Sequence, residues 1–104
     1  MRDLRTWHRA LIGDRVLNPE SRKLMETPHI GGRARGYGYG WGIETTHRET
    51  TVIAHSGGNN VFAANFIRYD DEETLVLFAT NTVSDLDTDP IVQELVQRVF
   101  PSNE

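Results

Sequence analysis

From Gly36 to Ile43 glycine alternates with a bulky residue: Gly36, Gly38, Gly40 and Gly42 separate Tyr37, Tyr39, Trp41 and Ile43. Period two is the signature of an extended strand, because successive side chains there point to opposite faces. The alternation predicts one strand with a bulky face and a bare face. A bare face lets a neighbouring element approach the backbone closely, at a cost in chain entropy that packing must offset.

Strand signals continue downstream. Thr50 to His55 reads as a second strand and Val61 to Tyr69, with Phe62, Phe66 and Ile67, as a third. Asp70-Asp71-Glu72-Glu73 reads as a polar turn. Thr74 to Thr80 (with Leu75, Val76, Leu77, Phe78) reads as a fourth strand, apolar enough for burial on both faces. Connections this short imply an antiparallel meander.

Helical spacing brackets the strands. Leu4, Trp7, Leu11 and Ile12 recur at helical intervals, with Asp3 as a candidate cap and Gly13 as a stop. Asn18, Pro19 and Glu20 mark a second start: a cap, a first-turn proline and an acid at the positive end of the dipole. That short helix carries Leu24 and Met25 and ends before Pro28, and residues 29–36 read as loop. Asp89, as a cap, and Pro90 open a last helix with Ile91, Leu95, Val96 and Val99 inward. The expected fold class is α+β: a four-stranded antiparallel meander with N-terminal and C-terminal helices packed on one face. The expected organisation is one partial domain over 1–104: a helical segment at 1–28, the sheet at 36–81 and the last helix at 89–100.

Composition narrows function. The chain has 104 residues, 38% hydrophobic and 25% charged, as a soluble globular unit would. A net charge of −4 creates no general attraction for nucleic acid. The two arginines Arg33 and Arg35 beside the tyrosines are a thin basis for RNA binding. No nucleic-acid or membrane partner is expected, since no apolar run nears the roughly 18 residues of a membrane span. There is no cysteine, so disulfides and thiolate metal sites are excluded. No cofactor is implied, and no metal site is expected. His8, His29, His47 and His55 lack ligand spacing. Asp85, Asp87 and Asp89 lack the glycine and distal glutamate of a calcium loop. The first residues lack the apolar stretch of a secretory signal, and the compartment stays open.

The segment with most chemical promise is His55-Ser56-Gly57-Gly58, read as a strand end entering a turn. Glycines there free backbone N–H groups to face a ligand, as acyl transfer requires for a developing oxyanion. The plainer reading is a glycine turn beside a half-buried histidine. His55 and Ser56 as neighbours on a strand face opposite ways, so they make a poor base–nucleophile pair.

The tyrosine-glycine strand, the His55-Ser56-Gly57 box, the Thr80-Asn81 strand end and the Leu17-Asn18-Pro19-Glu20-Ser21 helix start together resemble the C-terminal third of the serine β-lactamase-related hydrolases. That family includes class C β-lactamases, DD-peptidases and esterases, and its Lys-Thr-Gly box is often His-Ser-Gly or His-Thr-Gly. The resemblance implies a partial β-lactamase/transpeptidase-like domain. It implies that His55, Ser56 and Gly57 line the substrate cleft and that the Gly58 N–H forms half of an oxyanion hole. The family nucleophile stands in a Ser-x-x-Lys motif. The one lysine here, Lys23, has Glu20 three residues before it. The Tyr-x-Asn motif is absent too: Tyr37, Tyr39 and Tyr69 precede Tyr39, Trp41 and Asp71 by two. The expectation is a fragment of an acyl-serine amide or ester hydrolase, inactive alone, whose catalytic set is not complete within the 104 residues. Its partner would be the missing upstream segment or a second copy. The alternative expectation is a stand-alone, non-catalytic binding module with an exposed sheet edge or groove.

Overall fold

The computed structural model describes residues 1–32, 35–59, 61–81 and 89–101. In chain order the elements are α1 (Arg2–Ile12), α2 (Pro19–Met25), β1 (Ile30–Gly31), β2 (Arg35–Tyr37), β3 (Gly42–Thr45), β4 (Thr51–Gly58), β5 (Ala63–Tyr69), β6 (Thr74–Thr80) and α3 (Asp89–Val99). The strands form one antiparallel sheet in the order β1-β2-β3-β4-β5-β6. The meander is as expected, but among the described residues six strands replace four.

One of the two extra strands comes from the glycine-rich stretch. It is not one strand but a hairpin, with β2 ending at Tyr37 and β3 starting at Gly42. The Gly38 N–H donates to the Trp41 carbonyl at 2.8 Å, and Gly40 holds φ +85°, which side chains rarely adopt. A Cβ on Gly38 would collide with the Met25 carbonyl oxygen, and the Tyr39 N–H donates to that same oxygen at 2.9 Å. The turn is therefore pinned to the end of α2. Period two alone cannot separate an unbroken strand from two strands joined by so short a turn. The expected bulky row breaks up accordingly: Tyr39 stacks on His29 with ring centroids 4.2 Å apart, while Trp41 meets Phe66 edge-on at 5.4 Å. Part of the expected loop at 29–36 is likewise strand, since Ile30 and Gly31 pair with Tyr37 and Gly36.

The helix starts divide. Asn18 caps α2, its Oδ1 accepting from the Ser21 N–H at 2.8 Å, and Pro19 opens the helix. Asp3 lies inside the first turn of α1, whose cap is Met1, with no side-chain bond. Gly13 does end α1, but at φ −89°; the left-handed position falls to Asp14, at φ 58°. The side chain of Asp89 lies outside the described residues, as do Asp85, Asp87 and Arg33.

Strand register sorts side chains onto two faces, because paired residues share a face. Ile43, Ile53, Arg68 and Leu75 line up on one, with Trp41 and Phe66 beside them. Against this face pack α1, whose His8 ring tilts on Phe66, and α2, whose Glu26 pairs with Arg68. Ala54, Ile67, Val76 and Tyr69 occupy the other face. There Phe100, just after α3, packs on Tyr69 at 4.9 Å and lies under the Arg48 guanidinium at 4.0 Å. Arg48 is itself held by Glu72, at 2.7 and 2.9 Å. The helical contacts are thus split between both faces rather than gathered on one. β6 ends the sheet order, and only Val76 within it is buried, so it is an edge strand and not the doubly covered one its apolar run predicts.

Arg68 is the largest fully buried side chain, at 0% exposure. One of its nitrogens, Nη2, donates to Glu26 at 2.6 Å and to Asp70 at 2.8 Å, while the guanidinium lies over the Trp41 ring at 4.8 Å. A charge taken wholly from water needs such partners. Burial raises the Glu26 pKa, an effect opposed by Arg68. Burial lowers that of His8, opposed by Asp70.

Candidate active site on the open half of a strand

β4 runs without a break from Thr51 to Gly58, so His55-Ser56-Gly57-Gly58 is strand and not the start of a turn. The turn comes one residue later. Asn59 builds it: its Oδ1 accepts from the Val61 and Phe62 N–H groups, both at 2.7 Å, and its N–H donates to the Phe62 carbonyl at 2.9 Å. Sequence reading passed over Asn59, although asparagine bonding to backbone two residues on is a recognised turn signal.

The two neighbours of β4 differ in reach. β5 pairs with it up to Gly58, whereas β3 pairs only from Thr51 to Ala54. Past Ala54, one edge of β4 is open. Which backbone groups face that edge follows from antiparallel alternation. Asn59 and Phe62 are hydrogen-bonded across the turn. Counting back by two, Gly57 with Ala64 and His55 with Phe66 are the bonded pairs. Ser56 and Gly58 therefore turn their N–H and C=O groups away from β5. The β3 side agrees: Thr46 donates to Thr50 at 2.8 Å, so the bonded pairs there run through Glu44 with Val52 to Gly42 with Ala54. Ala54 spends its backbone groups on β3; Ser56 and Gly58, next in phase, meet no strand among the described residues.

All four residues of the box are exposed. Ser56 shares a face with Asn65 and lines a cleft of about 420 Å³ with Tyr37, Ile67 and Tyr69. His55 shares the opposite face with Phe66 but reaches the rim of that cleft, where the Tyr37 ring meets it edge-on at 6.4 Å. The two side chains thus diverge, as expected of strand neighbours. A second hollow, of about 430 Å³, lies beside Gly57 and Gly58 and is walled by Phe62, Ala63 and Ala79. Asn65 joins the site through pairing alone and no local pattern marks it, whereas Tyr37 belongs to the bulky row of the glycine-rich stretch. Among the described residues, no group of three or more His, Asp or Glu gathers as a metal site would require.

The arrangement can hold an extended substrate by strand addition and can present unpaired N–H donors to an acyl oxygen. Among the described residues, neither Lys23 nor a second histidine lines the cleft beside Ser56.

No family model matches the chain. Penicillin-binding protein 4* of Bacillus subtilis (strain 168) is 22% identical over 100 residues, which is 94% of this chain and 22% of that protein. The crystal structure of a penicillin-binding protein from Bacillus halodurans superposes with a TM-score of 0.79 at 20% identity, covering 95% of this chain and 30% of the other. That of a D-stereospecific amidohydrolase from Streptomyces sp. gives 0.73 at 24% identity, covering 99% and 30%. The chain spans less than a third of the length of each of these relatives. With an antiparallel meander bracketed by helices, it has the serine β-lactamase-related fold of penicillin-binding proteins and D-stereospecific amidohydrolases, over a portion of that fold.

Proposed function

We propose that this chain is the C-terminal, cleft-forming part of a β-lactamase-related serine hydrolase, one that cleaves an amide or ester through an acyl-serine. The observation that carries the reading is the open edge of β4, where the Ser56 and Gly58 N–H groups meet no strand among the described residues. An extended substrate laid on that edge would gain backbone hydrogen bonds. Its scissile carbonyl would take the Gly58 N–H as one of two oxyanion donors. His55 and Ser56 would contact the substrate from opposite faces. The nucleophile would come from a Ser-x-x-Lys segment outside these 104 residues.

Intact mass after exposure to a fluorophosphonate, and separately to a penicillin, tests the division of labour. The chain by itself is expected to stay unmodified. Mixing it with the nucleophile-bearing segment of a relative is expected to restore acylation of the added serine. A stoichiometric adduct on Ser56 in the isolated chain would overturn the proposal.

A second reading, a non-catalytic interaction module, is favoured by the apolar surface left uncovered. Trp7 is 45% exposed, Leu24 57% and Tyr39 62%. Together with the β6 edge, this surface favours self-association or docking of the rest of the hydrolase. Light scattering at increasing concentration separates a self-associating chain from a monomer. Rescue of hydrolysis by the added segment separates the fragment from the module.

A further inference from the structure

The two edges of the sheet are unlike. β1 is two residues long and turns at Gly31, where φ is +81°. A short, kinked edge resists pairing with another chain. β6, at the other edge, runs seven residues from Thr74 to Thr80. Its register with β5 is unbroken from Thr74 opposite Tyr69 to Thr80 opposite Ala63, so no bulge twists it away. It holds no charge, proline or glycine, and the usual guards against edge pairing are missing from it.

Alternation fixes what that edge offers. Ala64 and Phe66 spend their backbone groups on β4, so Ala63, Asn65 and Ile67 bond to Thr80, Phe78 and Val76. Leu75, Leu77 and Ala79 are left with their N–H and C=O groups turned outward. Among the described residues no strand lies beyond them, and none of the three takes a backbone hydrogen bond from a loop.

This row is its own complement. Two copies of β6 laid antiparallel about Leu77 set Leu77 against Leu77, Leu75 against Ala79 and Val76 against Phe78. Every outward N–H then meets an outward C=O, and no like charges face each other. A two-fold axis normal to the sheet keeps like faces together, so both α3 helices stand on one side of the joined sheet. α3 packs on β6 and leaves Leu95 and Val99, one turn apart, exposed. Pairing therefore brings apolar surface together along with backbone. It also closes: the joined sheet ends in two β1 edges, both blunted, which favours a dimer over an open fibre.

We propose that this chain forms a two-fold dimer through β6, whose outer edge pairs antiparallel with β6 of a second copy about Leu77. The dimer gives self-association a definite surface. It rests on no catalytic reading and stands or falls whether or not acylation is rescued.

The absence of cysteine makes the register directly testable. Facing residues of a bonded antiparallel pair stand about 5.5 Å apart at Cα, within disulfide range. With diamide as oxidant, Leu77→Cys is expected to give a covalent dimer. Leu75→Cys and Ala79→Cys are each expected to stay uncoupled alone and to cross-link when mixed. Ala79→Lys, at an exposed position, puts a charge on the edge. It is expected to weaken self-association by about tenfold or more in sedimentation, with the circular dichroism spectrum of the dilute chain unchanged. Ile30→Lys, on the exposed β1 edge, is expected to change nothing. Amide exchange at Leu77 and Ala79 should slow as concentration rises, while that at Val76 and Phe78 is slow throughout. A chain that sediments as a monomer up to about 1 mM would overturn the proposal. So would a dimer that keeps its affinity in Ala79→Lys, or cross-linking of Leu75→Cys alone as readily as of Leu77→Cys.

Discussion

Replacing Arg68 by alanine tests the account of what holds the sheet to its helices. The guanidinium is fully buried, and a single nitrogen bridges Glu26 and Asp70 at 2.6 and 2.8 Å. Removing it leaves two carboxylates with 15% and 20% side-chain exposure and no cation between them, and a void beneath Trp41. Removing one member of a buried ion pair costs about 3–5 kcal/mol, because the other charge stays desolvated. That is a large share of the roughly 5–15 kcal/mol that stabilises a typical domain. At roughly 4–8 °C per kcal/mol for this size, the melting temperature should fall by roughly 12–40 °C. Circular dichroism melts and urea titrations measure it. Arg68→Lys should lose less, since the native contacts already use one nitrogen and the buried Nε and Nη1 have no partner. In a Glu26→Gln/Asp70→Asn background, Arg68→Ala should cost about 2 kcal/mol less than in the native chain. A loss below about 1 kcal/mol for Arg68→Ala, or equal loss for Lys and Ala, would refute the reasoning. The pH dependence carries a sign as well. Glu26 has a raised folded pKa, so its contribution favours the fold below its ordinary value of 4.5 and is lost as pH rises through the raised value. Without Arg68 the pKa should rise further, making the variant relatively more stable in acid.

Other outcomes follow from single contacts. Amide hydrogen exchange should be fast at Ser56 and Gly58 and slower at His55 and Gly57; protection at Gly58 would contradict the derived register. Gly38→Ala should destabilise strongly, since its Cβ would strike the Met25 carbonyl and come within 2.9 Å of the Ile43 Cδ1, while Gly57→Ala meets nothing within 4 Å and should melt as the native chain does. Asn18→Ala should cost about 1 kcal/mol by urea titration through loss of the α2 cap. His8, its pKa lowered chiefly by burial, should contribute stability above its ordinary 6.5 that is lost as pH falls through the depressed folded value; a His8→Phe chain should lack that part of the acid transition.

Much of this protein could be read directly from residue order. Asn18-Pro19 marks a helix start through local chemistry, and the short apolar runs of β5 and β6, separated by a polar turn, mark strands through their composition and length. Short polar connections imply antiparallel neighbours. The His55-Ser56-Gly57-Gly58 box pointed to the candidate site, and the divergence of His55 from Ser56 follows from strand geometry alone. The hairpin within the glycine-rich stretch was not legible, because Gly38 and Gly40 are needed there by contact with α2 and by backbone angle, neither of which alternation reports. The burial of Arg68 and His8, and the exposure of Leu4 at 40% and Trp7 at 45%, reverse what polarity suggests. Those reversals depend on partners distant in the chain, such as Glu26 across 42 residues from Arg68. The open edge of β4 likewise exists because β3 begins only at Gly42, opposite Ala54, one strand away. Local periodicity determines which segments are helix and strand. Where one strand outruns its neighbour, and which charges are closed off from water, is decided by long-range pairing that no single segment encodes.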